Sequence, residues 1–390
     1  MDDDARRLGE RLLGEVESEG LSELFASLRE LSLPPNHIPS IFGIPKLDAL
    51  LSQPQQHRLP PPNPAPPTSS PHHHQPGQEI NPQPSSPPRH PTSTTQPHPL
   101  TIDLISPPYS THPSGSGKST LTSLLIIYAI LPQSLLGVPL NGTASTIILF
   151  DPLSRFHTPR LTQFLLHHLT TVLSSHNHSP NAPHVRKEIL QCIRTALSRV
   201  LIFRPAGWTA LLATLTSLSS SLLATNDSQR VLLSSNSKIH AVIFEDVHAF
   251  TPHIRAASIP SVSANPSPLA LLAPYIRTLH ETLRPEVVVL TSLSPTPISS
   301  IQHGGAVGAS VSGVAVTRVA VRRVEVTRFA PGVSVEEAEG ERGMRWEVVK
   351  RGRFEVWRVG GSGAAGEVVR FRIEGTGNVW FEGDDGVTNG

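Results

Sequence analysis

Five short runs of apolar, largely β-branched residues punctuate the middle of the chain: LTIDLI (100–105), STIILFD (145–151), RVLIF (199–203), IHAVIFED (239–246) and EVVVLTS (286–292). Each is nearly continuous in apolar side chains, the pattern of a strand buried on both faces. Between the runs, helical spacing of apolar residues predicts helices near 118–131, 158–174, 186–198, 208–224 and 268–284. Strands that alternate with helices in this way predict an α/β core with a mostly parallel sheet. After residue 292 the pattern changes. Residues 294–313 are rich in Ser, Pro, Gly and Ala, which predicts a mobile loop. Within 314–381 apolar residues alternate with Arg and Glu in VAVTRVAVRRVEVTRF, RWEVVKRGRFEVWRV, EVVRFRI and NVWF. That alternation predicts antiparallel strands or hairpins, joined by Gly-rich turns such as 360–366, extending one edge of the sheet.

The first hundred residues follow other rules. Leu8, Leu12, Leu13, Val16, Leu21, Leu24, Phe25, Leu28 and Leu31 predict two short amphipathic helices within 5–31, interrupted near Gly20 and stopped by Pro34 and Pro35. Residues 37–51 predict a turn and then a short helix. In 53–99 Pro, Ser, Thr, Gln and His dominate, and the charged residues are Arg58, Glu79 and Arg89. Such a segment cannot bury enough apolar surface to offset its ordering entropy, so a disordered insert with polyproline II character is expected. Its His72–His74 run reads as low complexity rather than as a metal site. The chain thus divides into N-terminal helices and a lead-in segment (1–52), a disordered Pro/Ser/His-rich insert (53–99), an α/β core (100–293), a loop (294–313) and a C-terminal β extension (314–390).

Composition narrows the function classes. Lys plus Arg number 32 against 31 Asp plus Glu, a net charge of +1, which excludes a strongly basic coat or an acidic tail as the main device. The single cysteine, Cys192, excludes a disulfide framework and a Cys-based zinc cluster, and suits a reducing compartment. No apolar run reaches the ~18–20 residues of a membrane span. The opening MDDDARRLGERLLGE is acidic and then amphipathic, unlike a signal peptide, so a soluble intracellular protein is expected. His167, His168, His176, His178 and His240 lack HExxH spacing and cysteine partners, which argues against zinc.

The most informative segment is His112-Pro113-Ser114-Gly115-Ser116-Gly117-Lys118-Ser119, followed by Thr120. It lies between a predicted strand and a predicted helix, the setting of a Walker A phosphate loop. Gly115 and Gly117 allow the backbone N–H groups to turn inward as an anion nest. The positive end of the helix adds to the field. Lys118 can reach the outer phosphates and the Ser119 hydroxyl can ligate Mg²⁺. His112 stands where GxxxxGK[ST] has its first Gly, a departure expected to strain the start of the loop or alter affinity. The alternative is a Ser/Gly turn that happens to precede Lys-Ser. A second half-site is expected where IHAVIFED ends. Glu245 and Asp246 can hold Mg²⁺ there, partly through water. The alternative is a capping pair at a strand–helix junction.

The order of strand, phosphate loop, FDPLSRFHTPRL (150–161), RVLIFRPAGWTALLATL (199–215) and AVIFEDVHAF (241–250) resembles the RecA/Rad recombinase core. More closely it is similar to the eukaryotic recombinase paralogues of the X-ray repair cross-complementing branch. In that family a strand ending in Asp is followed by an aromatic and then by Arg-Leu opening the next helix; Asp151, Phe156, Arg160 and Leu161 stand at those offsets. Residues 43–51, GIPKLDALL, are similar to the family's lead-in segment. The resemblance covers about 40–51 and 100–381 and implies a RecA-like fold that binds ATP and Mg²⁺. The chain departs from the family where hydrolysis is concerned. Leu153 stands in place of the Glu that orients the attacking water, and Thr291-Ser292-Leu293 lacks the Asn or Gln that senses the γ-phosphate. Glu245, with Asp246 beside it, matches the family's metal-strand Asp.

The resemblance implies DNA contacts through loops at about 248–267 and 294–313. These hold His248, His253, Arg255, Gln302 and His303 and little other positive charge, too little for strong phosphate binding. Arg318, Arg322, Arg323, Arg328, Arg345, Lys350, Arg351, Arg353, Arg358, Arg370 and Arg372 are interleaved with Glu325, Glu347, Glu355 and Glu367, the pattern of a salt-laced exposed face. The expectation is an ATP-binding accessory factor of homologous-recombination repair, with weak hydrolysis. It would assemble with other recombinase paralogues, meet DNA within that complex, and work in the nucleus. Two other readings remain open: a P-loop kinase or NTPase of small-molecule metabolism, and a nucleotide-independent scaffold.

Overall fold

The computed structural model describes residues 40–52, 100–106, 115–223, 238–257, 267–293, 310–311, 314–324, 332–350, 352–359, 368–374 and 379–382. The helices expected within 5–31, the 53–99 insert, residues 112–114 of the phosphate loop and most of 294–313 lie outside this set.

The core alternates as expected. Strand β1 (Leu100–Ser106) leads to α2 (Lys118–Ile130), which comes after a short lead-in helix α1 (Pro45–Ser52). A small hairpin of β2 (Ser134–Leu135) and β3 (Val138–Pro139) precedes β4 (Thr146–Phe150). Then come α3 (Thr158–Ser175), α4 (Pro183–Leu197), β5 (Val200–Phe203), α5 (Trp208–Leu223) and β6 (Ile239–Phe244). A 3₁₀ turn (Val247–Phe250) runs into α6 (Thr251–Ala257), followed by α7 (Pro268–Thr282) and β7 (Val287–Leu293). The C-terminal part holds β8 (Ser310–Val311), β9 (Val314–Arg323), α8 (Val335–Lys350), β10 (Arg353–Arg358), β11 (Val369–Ile373) and β12 (Val379–Phe381).

One sheet unites these strands in the order β12-β11-β10-β9-β1-β7-β6-β4-β5, with β8 paired to β9. From β9 to β5 all pairs are parallel, whereas β10, β11 and β12 add antiparallel strands at the other edge. This is the mixed α/β architecture expected of a RecA-like core. The strands' alternation sends side chains to two separate cores. Ile147 and Leu149 of β4 join Ile102, Leu104 and the apolar sides of α2, α3 and α4 on one face. Ile148 and Phe150 join Val242, Phe244, Val288, Leu290 and the apolar sides of α5 and α7 on the other. Each fully buried Leu or Ile contributes about 1.5–3 kcal/mol, so both faces need their helices.

Chain direction fixes where a ligand can sit. From β1 the chain crosses to β4 and then β5; from β5 it returns through β6 and β7 to β9. β1 and β7 are neighbours whose onward connections leave in opposite directions, a topological switch point, and their carboxyl ends flank a crevice.

Two expectations for the C-terminal part need correction. Residues 335–350, including RWEVVK, are helical rather than a strand. Glu, Ala, Met and Arg favour a helix along this segment, and Arg345 pairs with Glu341 one turn back at 2.7 Å. Strand β9 is parallel to β1, with Asp103 opposite Arg318, and antiparallel toward β10 and β8. Among the described residues, no helix is long and apolar enough to cross a membrane.

The lead-in segment is tied to the core. Asp48 Oδ1 accepts the N–H groups of Ile41 and Phe42 at 2.9 Å each, and Ser40 Oγ donates to Oδ2 at 2.5 Å. His240, fully buried in β6, bonds the Ile41 carbonyl through Nε2 at 2.9 Å and faces Glu286 through Nδ1. Lys238 pairs with the same Glu286. Burial pulls the Glu286 carboxyl up, but His240 and Lys238 outweigh it and hold it at about 2.

Candidate phosphate-binding site

Residues 115–120 form the loop end and first turn of α2. Gly117 caps that helix with φ 94°, in the left-handed region, and as a glycine it brings no side-chain acceptor to the helix end. The positive end of the helix dipole lies at this turn. Among the described residues, no atom comes within 4 Å of an ideal Cβ at Gly115. Ser119 is exposed, whereas Thr120 is buried and its N–H bonds the Gly117 carbonyl at 3.1 Å, a helix-start role. His112, Pro113 and Ser114 lie outside the described residues.

Lys118 reaches across the switch point. Its Nζ donates to the Ser292 carbonyl at the end of β7 at 2.5 Å. Burial lowers the ammonium from the usual lysine range, against the pull of Asp246, Glu245 and Asp103. This is a half-buried cation in the field of three carboxylates, at the carboxyl ends of the central strands.

The second half-site sits on the neighbouring strand end. Glu245 takes up the β6–β4 ladder, its N–H bonding the Phe150 carbonyl at 2.9 Å. Thr291 of β7 joins the acidic pair: its hydroxyl donates to Glu245 Oε2 at 3.0 Å and accepts the Asp246 N–H at 2.7 Å. Burial raises the Glu245 carboxyl, opposed by the Thr291 bond and by Lys118, while the Asp151 charge adds to the rise. Asp246 has φ 50° and heads the 3₁₀ turn, with no side-chain capping bond. Its Oδ2 lies 3.3 Å from the Arg155 guanidinium. Both carboxylates among the three expected metal ligands therefore already have partners within the protein. Among the described residues, no three His, Cys, Asp or Glu side chains converge as a metal site; a Mg²⁺ held by a hydroxyl and one or two carboxylates would not form such a group.

Asp151 and Leu153 occupy the turn after β4. Asp151 is 1% exposed and accepts the N–H groups of Arg155 at 2.9 Å and Phe156 at 3.0 Å, with Arg204 at 3.8 Å. It fixes the turn. Leu153 is 41% exposed on that turn, a large apolar side chain with nothing to offer a water molecule.

Several residues at the site were not singled out from the sequence. Asp103, in the middle of β1, is buried. Ser292 Oγ donates to its Oδ1 at 2.6 Å and Arg318 Nε lies 3.7 Å from its Oδ2. Burial raises this carboxyl against the Ser292 bond and the charges of Arg318, Lys118 and His248. A charge inside an otherwise apolar strand was the available signal, since Asp is almost never fully buried without a partner. The Ser292 hydroxyl is thus committed to Asp103. Arg155 and Arg204 gave no comparable signal, because their partners come from other segments. Compared with known proteins, the chain matches no family model and no curated protein.

Proposed function

We propose that the chain binds ATP with Mg²⁺ at the 112–120 loop and acts as a RecA-like recombinase paralogue, an accessory factor of homologous-recombination repair. The observation that carries the nucleotide reading is Lys118. It is a half-buried cation in the first turn of α2, on the switch point of a parallel sheet, in the field of Glu245 and Asp246 at the next strand end. The residues present fit the group: Lys118 for the outer phosphates, the exposed Ser119 hydroxyl and the acidic pair for the metal. Mg²⁺ would neutralise phosphate charge; the chain's own part is to bind and orient the phosphates.

The recombinase assignment rests on the resemblance of the segments around Asp151, Arg160 and Glu245, and the strand order supports it. The C-terminal arginines favour DNA contact only within a larger complex. Arg322 and Arg370 both bond Glu355, at 2.8 and 3.1 Å, so much of that face is already neutralised. Calorimetry of the wild type and Lys118→Ala tests the nucleotide reading. Loss of a charged hydrogen bond predicts weakening by roughly 1.5–3 kcal/mol. Equal affinities would favour the scaffold reading. Co-purification from the native cell with other recombinase paralogues tests the assembly, and its absence would remove the repair assignment.

A further inference from the structure

The last strands of the chain press on the phosphate loop. An ideal Cβ at Gly117 would stand 2.8 Å from Phe354 Cδ1 and 3.2 Å from Phe371 Cζ. These two rings face each other across β10 and β11, with centroids 5.1 Å apart and planes 14° from parallel. Phe381 of β12 is the register partner of Phe371 and continues the row at 5.7 Å. The Arg323 guanidinium lies 6.0 Å from the Phe354 centroid. All three rings are buried. An aromatic ladder therefore runs across three strands and ends on the glycine that precedes Lys118.

Glycine moves readily between φ > 0 and φ < 0, so nothing intrinsic to Gly117 keeps it at φ 94°. A flip would turn the N–H groups on either side of it and dissolve an anion nest. Rings packed 2.8 and 3.2 Å from where its Cβ would stand restrict that freedom. We propose that Phe354 and Phe371 are positioning residues for phosphate binding. They hold Gly117 in its left-handed conformation, so that a hairpin more than two hundred positions away in sequence sets the geometry of the loop. This rests on the reading of 112–120 as a phosphate loop. It adds that the C-terminal strands are part of the binding site.

The test separates positioning from ordinary packing. Displacement of a fluorescent ATP analogue by MgATP and by adenosine is measured for the wild type, Phe354→Ala, Phe354→Leu and Val356→Ala, with melting temperatures for each. Val356 shares the strand face and the core of Phe354 but is not among the atoms nearest Gly117. Phe354→Ala should lower MgATP affinity roughly tenfold more than adenosine affinity, a difference of ~1.4 kcal/mol. Phe354→Leu, which keeps bulk against the glycine, should recover most of it. Val356→Ala should lower the melting temperature yet leave the MgATP-to-adenosine ratio within about twofold of wild type. An unchanged ratio in Phe354→Ala, or an equal change in Val356→Ala, overturns the proposal. If Phe354→Ala does not fold, Phe354→Val, whose shorter side chain withdraws from the glycine, carries the same comparison. Failure of the wild type to bind MgATP overturns the phosphate reading and this inference together; normal wild-type binding with an unchanged ratio overturns this inference alone.

Discussion

Burial sets the charges that matter in this molecule, and it does so residue by residue. Lys118 is lowered and Glu245 and Asp103 are raised, in each case chiefly by desolvation. Opposed shifts gathered at one crevice are the mark of a site rather than of a surface. Away from the crevice the same physics makes stability depend on pH. His280 packs beneath β1, with Nε2 3.1 Å from the Thr101 hydroxyl, and burial lowers it to about 4. Its folded value lies below its unfolded value, so its contribution is complete above about pH 6.5 and is lost as pH falls toward 4. The drop should be about 1–3 kcal/mol, because partial exposure screens the ring. Glu286, held at about 2, is also depressed; its contribution is complete above pH 4.5 and is lost as pH falls toward 2. Denaturant titrations from pH 7 to 3 should therefore show a first decline between 6.5 and 4 that His280→Gln flattens. A second should begin below 4.5, and Glu286→Gln should flatten that one. An unaltered first decline in His280→Gln would place the proton elsewhere.

Among the secondary elements, what was legible in the sequence follows from how local its cause is. The buried strands and their helices were legible within a few residues, because apolar runs of that length have few other uses. Helix α8 was misread because Trp346, Val348 and Val349 stand among charged residues in a strand-like rhythm. Of the apolar side chains here, Met344 is 69% exposed and Trp346 67% exposed, so these two gave no burial pattern to be read. The direction of β9 was also hidden, since alternation reports which face is buried and says nothing of whether the neighbour runs parallel. The lead-in segment shows a subtler limit. GIPKLDALL gave a turn and a helix, but not why they stay on the core. Asp48 closes the turn with three hydrogen bonds, and Gly43, at φ 67°, lies against the Tyr128 ring. An added Cβ there would come within 2.2 Å of Tyr128 Cδ2. Asp48→Ala should cost about 1–3 kcal/mol, because two backbone N–H groups lose a charged acceptor. Gly43→Ala should cost at least as much, from strain and collision combined. Denaturant midpoints measure both; a Gly43→Ala midpoint equal to wild type would mean that the segment is not docked as described.

For the molecule as a whole, the fold brings the two halves of the candidate site read from the sequence to neighbouring strand ends. Lys118 and Ser119 were legible from local spacing, and Glu245 and Asp246 from the end of an apolar run. The links between halves were not, because they join residues far apart in the chain: Lys118 with the Ser292 carbonyl, Thr291 with Glu245 and Asp246, and Arg155 with Asp246. These links bear on turnover. A P-loop ATPase needs phosphate contacts, a metal and a group that orients water. The first two have candidates. The third does not: Leu153 is an alkyl group on the turn after β4, Asp151 is consumed in fixing that turn, and the Ser292 hydroxyl belongs to Asp103. Steady-state ATP hydrolysis by the isolated chain should therefore be slow, well below the ~1–10³ s⁻¹ typical of enzymes. A neighbouring subunit could raise it by supplying a group in trans, as arginine fingers do. Leu153 is exposed enough that Leu153→Glu should fold normally and place a carboxylate on the same turn. Turnover assays of the wild type, Leu153→Glu and Lys118→Ala, each with and without DNA, separate the possibilities. A gain in Leu153→Glu that Lys118→Ala abolishes would show that water orientation is the missing function. Wild-type turnover of several per second, lost in Lys118→Ala, would mean that another residue orients the water and that the leucine is no impediment.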